Sequence, residues 1–508
     1  MNKSTKILII IVAVLALIAI IVFGITFKEL NGNTSNTGVT NSSSSTKTTA
    51  PAETSTDIEV TYTNQEISGT YGDYTASINV SSLSVSGTGV TISGTTLKIT
   101  SAGTYYFTGT ASDANIVVEA DKNADVILVF DNANITSTKT AVINGVKANS
   151  ITVNLAEGSN NTFTDSSNYT VFTEDDEPDA TVFSKTDLII NGSGKLTINA
   201  NYQDGIASKD TLKIVNTNIQ VTAVDDAIRG KDSVTIKDSN ITIKSAGDGI
   251  KSTNTEEGFG YVVIDGGTIS IETQRDGIQA ESVLTVSNAT ITIKTTGNTN
   301  QKDSNGESIS SKGLKAGKEI TVNSGNITIN STDDSIHSNG TLIINGGILT
   351  INSGDDGIHA DGMIVINGGT FNITAAEGIE ATYVKINDGT INISASDDGI
   401  NAGRKSTDYA VTIEINGGYI TIKMGQGDTD GIDSNGNIYI NGGTIDITGN
   451  SAFDYDGTAE YNGGTLIVNG TQTTTITNQF MGGGMNRGGQ MNQGGMQNGA
   501  GRMQGGRR

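Results

Sequence analysis

Down the last three-fifths of the chain, apolar and polar positions alternate in short runs rather than in helical steps. The stretch IHADGMIVINGGTFNITAAEG, Ile358 to Gly378, shows the unit. Ile358/Ala360, Ile364/Ile366 and Phe371/Ile373 mark three alternating runs, each the signature of a strand. Asp361-Gly362, Asn367-Gly368-Gly369 and Glu377-Gly378 separate them, and these residue types tolerate the backbone of tight turns. Three strands and three turns in about 22 residues predict one coil of a parallel β-helix, whereas a propeller blade needs roughly twice that length. The expected fold class is therefore all-β, a single-stranded parallel β-helix with three strands per coil.

The same register recurs from coil to coil. Ile344, Ile366, Ile386, Ile415 and Ile440 precede Asn-Gly-Gly or Asn-Asp-Gly, and Leu349, Phe371, Ile391, Ile420 and Ile445 follow it. Each set is expected to stack as an interior ladder. Asn345, Asn367, Asn387, Asn416, Asn441 and Asn462 are expected to form an amide ladder at the turn. The region from about Leu83 to Phe163 is less regular and reads as early, distorted coils with an N-terminal cap. A separate β-sandwich over residues 58–120 is the alternative.

A phrase close to Asp-Asp-Gly-Ile recurs nine times down the last three-fifths of the chain, about every 22 residues. It carries Asp204, Asp225-Asp226, Asp248, Asp276, Asp333-Asp334, Asp355-Asp356, Asp397-Asp398 and Asp430, with Glu377 replacing Asp in one copy. Stacked coils turn a fixed Asp into a column. Carboxylates about 4.8 Å apart repel by roughly 1 kcal/mol in water and about 3.5 kcal/mol at an effective dielectric of 20. Protonation, basic neighbours or bound cations relieve that repulsion. Ca²⁺ suits the last, because it takes six to eight oxygens in flexible geometry. All these aspartates are therefore candidate Ca²⁺ ligands, the doubled pairs foremost. Asp-Gly is also turn chemistry, so some need only bond their own backbone. Two His and no Cys exclude a thiolate metal site.

The residue after each Ile is expected to face outward on the adjoining strand. That row reads Ala207, Arg229, Lys251, Gln279, Lys315, His337, His359, Glu380, Asn401 and Asp433, from basic to acidic. Arg229, Lys251 and Lys315 could hold sugar carboxylates or simply neutralise the column. His337 and His359, one coil apart, are expected to stack as ligand contacts. Insertions at Asn254–Tyr261, Gly297–Ser310 and Gly403–Tyr409 add Tyr261 and Tyr409 as candidate sugar contacts. Tyr383, Tyr419 and Tyr439 face outward by register. No catalytic residue is assigned.

Lys3 and Lys6 precede an uncharged apolar run from Ile7 to Phe27. Residues 1–30 are expected to be a signal anchor or a signal peptide, placing the body on the outer face of a membrane or in the medium. Residues 31–57 read as a flexible Ser/Thr/Asn linker, 58–170 as the N-terminal β region, 171–479 as the regular β-helix, and 480–508 as a solvated Gly/Met/Gln/Arg tail. Residues 57–479 keep 52 of the 54 acids and 23 of the 31 bases, a net of −29. Nucleic acid is a poor partner for such a body. A polyanionic ligand needs bridging cations.

The stretches GSGKLTINANYQDGIASKDTLKI (192–214), AIRGKDSVTI (227–236), AGTYYFTGT (102–110) and LAEGSNNTFTD (155–165) resemble a family of clostridial exported carbohydrate-binding proteins. The resemblance covers about residues 83–479. It implies a polysaccharide-lyase-like, right-handed β-helix that binds Ca²⁺ along one face and recognises cellulose and pectic acid. The expected function is non-catalytic binding of plant cell-wall-type polysaccharide. A Ca²⁺-dependent pectate-lyase-like enzyme and a structural surface adhesin are the alternatives.

Overall fold

The computed structural model describes residues 55–56, 58–172, 177–302, 306, 308–427 and 429–479. The apolar run 7–27, most of the linker, residues 174–176 and the tail lie outside the described residues. Among those described, no helix is long and apolar enough to cross a membrane.

Strands dominate, and nearly every one pairs in parallel with the strand one coil later. Thr211–Val215 pairs with Ser233–Lys237, which pairs with Tyr261–Asp265. Asn218–Ala223 pairs with Asn240–Ser245, then with Thr268–Thr273. The strand after the acidic phrase does the same, Ile206 to Ile228 to Ile250 to Ile278. Three ladders thus run the length of the molecule, as a parallel β-helix requires.

The period-2 pattern decides what lies inside. Ile344, Ile366, Ile386 and Ile415 align in register, as do Leu349, Phe371, Ile391, Ile420 and Ile445. All nine side chains are 0% exposed. Each such burial is worth about 1.5–3 kcal/mol, so one core grows by a fixed increment per coil. The early coils join the same stack. Gly103–Ala111 pairs in parallel with Asp125–Thr136, Phe107 stacks on Phe130 at 5.0 Å, and Phe130 meets Phe163 edge-on at 4.9 Å. Residues 103–163 are therefore continuous with the coils rather than a separate sandwich.

Antiparallel pairs close the ends. Ala76–Asn79 with Ser84–Gly87 and Val90–Ser93 with Thr96–Ile99 lie at one, and Thr465–Val468 with Thr471–Thr473 at the other. Such hairpins blunt the edges that an open stack would expose.

Residues 55–56 and 58–71 form a strap over the outside of the middle ladder. Thr56 donates its N–H and hydroxyl to Glu319, both at 2.9 Å. A single helical turn, Asn64–Ser68, carries a capping box between Thr63 and Glu66. Lys213 grips Glu66 at 3.0 Å, and the amides of Asn154, Asn191 and Asn216 donate to backbone carbonyls between 65 and 69. Further along, the 403–409 insertion covers the same face. Tyr383, expected outside, is instead 7% exposed, because Tyr409 lies over it and both join Ile343, Met363 and Val365.

Candidate functional site

Each acidic phrase sits at the corner leading into the first ladder. Asp204, Asp226, Asp248, Asp276, Asp334 and Asp356 are at most 8% exposed. Their burial has a backbone cause. Asp204 Oδ1 accepts the N–H of Asp226 at 3.2 Å, Asp226 that of Asp248 at 2.7 Å, and Asp248 that of Asp276 at 2.9 Å. Asp276 accepts from Lys312 at 2.8 Å, Asp334 from Asp356 at 3.2 Å, and Asp398 from Asp430 at 3.0 Å. The carboxylate does at the corner what a carbonyl does in the ladder. Without it the next coil would bury an N–H with no acceptor.

The second oxygen faces the outward row, whose strand register runs Ala207, Arg229, Lys251, Gln279, Lys315, His337, His359, Glu380, Asn401, Asp433. Arg229 Nε is 2.6 Å from Asp204 and its Nη2 is 2.7 Å from Asp179. Lys251 Nζ is 2.6 Å from Asp248 and 3.6 Å from Asp226. Lys315 is 3.0 Å from Asp276, and Lys312 lies 2.7 Å from both Asp333 and Asp334. Burial works against the charges of Arg229 and Lys251, but the paired aspartates outweigh it and raise both pKa values.

The histidines extend the row. Their rings stack at 4.6 Å with 14° between planes. His337 Nδ1 lies 2.7 Å from Asp334, and His359 Nδ1 lies 2.8 Å from Asp356 and 2.9 Å from Glu380. Burial opposes a charged His359, yet the two carboxylates prevail and push its pKa up to about 10. Burial likewise opposes Asp334, but His337 and Lys312 hold it well below the usual carboxylate range. Glu380, facing His359 and Lys405, is brought down to about 2 against the cost of its burial.

Beyond Glu380 the balance changes sign. Burial, with Glu380, Asp356 and Asp398 nearby, pushes Glu377 up to about 8 in spite of a hydrogen bond from Asn401. Burial with Asp398, Asp454 and Asp430 nearby pushes Asp433 up to about 7. Neither Asp433 nor Asp454, adjacent in register, has an ion pair among the described residues. Asn401 Nδ2 donates to Glu377 and Glu380, so its Oδ1 turns away, buried without a partner.

The first residue of each doubled phrase has a different fate. Asp333 is held by Lys312. Asp225, Asp355 and Asp397 are exposed, and their carboxylates take no hydrogen bond or ion pair among the described residues. Carboxylate oxygens of Asp204, Asp225 and Asp226 lie within 4.8 Å of one another, as do those of Asp333, Asp334 and Asp355. Two further groups, Asp334/His337/His359 and Asp356/His359/Glu380, meet the same limit. A Cβ on Gly247 would fall 2.5 Å from one oxygen each of Asp225 and Asp226, so glycine there leaves their cradle open. Asp430 is half-buried and takes the Ser451 hydroxyl. Tyr261 lies half-buried at the end of its insertion, while Tyr409 packs on Tyr383 away from the acidic row.

Lys312 and Asp179 belong to this network without having been singled out in the sequence. Glu377 and Glu380 were legible as phrase and row positions. Lys312 follows an insertion that breaks the period, and Asp179 precedes the first regular phrase.

Residues 93–357 and again 355–480 match the family described as carbohydrate-binding domain-containing protein. A protein of that description from Acetivibrio thermocellus is 45% identical over 203 residues, covering 40% of this chain and 71% of the relative. A solved structure, a polysaccharide lyase-like protein from C. thermocellum in a gadolinium derivative, aligns at 37% identity over 44% of this chain and 91% of that one, with a TM-score of 0.42. On the two family matches and the extent of the relative covered, the chain belongs to the family of carbohydrate-binding domain-containing proteins.

Proposed function

We propose that this protein is a non-catalytic, extracellular polysaccharide-binding solenoid that holds acidic plant cell-wall-type glycan through Ca²⁺. In this reading the coils wind right-handedly, the run 7–27 exports and retains the chain at the cell surface, and a polyuronate lies along the acidic row. Family membership supports the carbohydrate. The convergence of Asp204, Asp225 and Asp226 within 4.8 Å, with Asp225 exposed and unclaimed, supports the ion.

The aspartates of the row are of two kinds. The second Asp at 204, 226, 248, 276 and 334 is explained by the N–H it accepts and the cation it faces. The first Asp of a doubled phrase has no such employment at 225, 355 and 397. An oxygen-only cluster with spare negative charge suits a hard cation, and oxygens within 4.8 Å can share one ion at the usual Ca²⁺ distances. Asp204, Asp225 and Asp226 would hold one ion, and Asp333, Asp334 and Asp355 another. The ion supplies positive charge that a uronate carboxylate can share. Arg229, Lys251, Lys312 and Lys315 are already committed to aspartates, which argues against any of them as a free lyase base.

Sedimentation with insoluble polygalacturonate tests this. Binding is expected in Ca²⁺, lost in EDTA, and weakened by Asp225→Asn with Asp355→Asn. Accumulation of unsaturated product would replace the reading with a lyase. Binding indifferent to EDTA and to both substitutions would remove Ca²⁺ from it, and no glycan binding at all would favour an adhesin.

A further inference from the structure

The third ladder presents a face unlike the rest of this acidic molecule. Its outward positions over five coils are Ile348, Thr350 and Asn352, then Thr370, Asn372 and Thr374, then Thr390, Asn392 and Ser394. Tyr419, Thr421 and Lys423 follow, then Thr444, Asp446 and Thr448. Fifteen side chains thus include one base and one acid, so the face is neutral in a chain of net charge −23.

A trough runs along one edge of this face. Each ladder Asn is followed by two residues of tight turn ending in a glycine of positive φ, as at Gly369 (111°), Gly389 (124°) and Gly418 (88°). Apart from Asp388, these corners carry glycine in both turn positions, and the backbone itself forms the floor. Between Thr390 and Tyr419, partners in register, the trough widens into an open depression of about 360 Å³. Tyr419 stands at its wall 50% exposed, where the preceding coils carry Thr370 and Thr390. The amides bordering the trough bond one another from Asn345 through Asn462 at 2.8–2.9 Å. The ladder uses one N–H and one lone pair of each amide, and Asn367, Asn387 and Asn441 keep a second N–H for solvent or ligand.

We infer that this trough and face are a second glycan site, separate from the acidic row, and that it takes a neutral polysaccharide chain. The inference rests on the carbohydrate-binding reading and adds the place at which a neutral chain, as distinct from an acidic one, is held. An exposed tyrosine ring offers an apolar face to a pyranose, the Thr and Asn side chains meet its hydroxyls, and the depression accommodates a ring or two. A charged glycan has nothing to answer it here, because Lys423 and Asp446 offset each other and Asp388 is the one charge in the depression.

Binding to cellulose and to soluble xylan, with polygalacturonate in parallel and each with and without EDTA, tests the site. Wild type is expected to bind a neutral glycan equally well in EDTA. Tyr419→Ala is expected to weaken that binding about tenfold, and Thr390→Arg, which fills the trough, at least as much. Neither substitution should change polygalacturonate binding or the melting temperature, since both side chains are exposed. Neutral binding untouched by both substitutions overturns the site. Polygalacturonate binding with no neutral binding overturns it too, and leaves the acidic-row reading standing. Neutral binding alone, lost in Tyr419→Ala, keeps the trough and removes the Ca²⁺ bridge. No binding to any glycan overturns both.

Discussion

Asp248 accepts the backbone N–H of Asp276, one coil further on, at 2.9 Å, while its other oxygen holds Lys251 at 2.6 Å. One carboxylate thereby closes a coil boundary and discharges a neighbour. Asp248→Ala is expected to cost about 3 kcal/mol, because it orphans a buried N–H and leaves Lys251 only Asp226 at 3.6 Å. Asp248→Asn keeps an acceptor and should cost roughly half as much. Urea unfolding of the two variants checks the order; equal losses would mean the N–H contact contributes little.

The column, the outward row, the interior ladders, the amide ladder and the histidine stack were legible because a fixed period sets every register at once. Leu349 and Ile445 could be placed in one file without knowing a single distance. What the period could not carry was which partner a side chain chooses. Lys251 and Arg229 read equally as contacts for a sugar carboxylate and as neutralisers of the column, and the period alone does not choose between the two. In the folded chain the coil spacing brings Asp248 and Asp204 within reach, and pairing in a partly buried corner outweighs exposure to solvent. The strap was hidden for the opposite reason. Residues 55–56 and 58–71 have no periodicity, and their position is dictated by Glu319, Lys213 and three asparagines far along the chain. Tyr383 was misread because a non-periodic insertion, not its own strand, covers it.

Glu319 is 7% exposed and ends the strap by taking both donors of Thr56. It also accepts from Thr321 at 3.0 Å. Glu319→Ala should free residues 55–56 and 58–62 while leaving the coils paired, at a cost of about 1–2 kcal/mol. Hydrogen exchange and limited proteolysis read this directly. Faster exchange confined to the strap is expected, and exchange spreading into Glu319–Val322 would show that the strap supports the ladder itself.

His359 lies against Asp356 and Glu380, with Asp361 at 3.3 Å from its Nε2. Its folded pKa of about 10 exceeds the unfolded value near 6.5. Between those values the folded state binds the extra proton, so this stabilisation is complete below about pH 6.5 and lost as pH rises through 10. His359→Gln should destabilise by about 2 kcal/mol at pH 6, with a gap to wild type that narrows steadily toward pH 10. A gap independent of pH would show that the imidazole acts by packing alone.

Asp433 should show the reverse balance. Its pKa of about 7 lies above the unfolded value near 3.9, because burial and Asp398, Asp454 and Asp430 all disfavour its charge. The native carboxyl therefore holds a proton that the unfolded chain releases, and stability contributed by the neutral form falls as pH rises from 4 through 7. Asp433→Asn removes the repulsion while keeping the shape. In EDTA it should raise stability by about 1 kcal/mol at pH 8, discounting the shift because the group is half-buried, and should change little at pH 4. Asp225→Asn, which relieves Asp204 and Asp226 at a more exposed position, should show a smaller gain of the same sign. Thermal melts of both variants at the two pH values decide the matter, and a stabilisation of Asp433→Asn that is equal at pH 4 and 8 would place its origin in packing rather than charge.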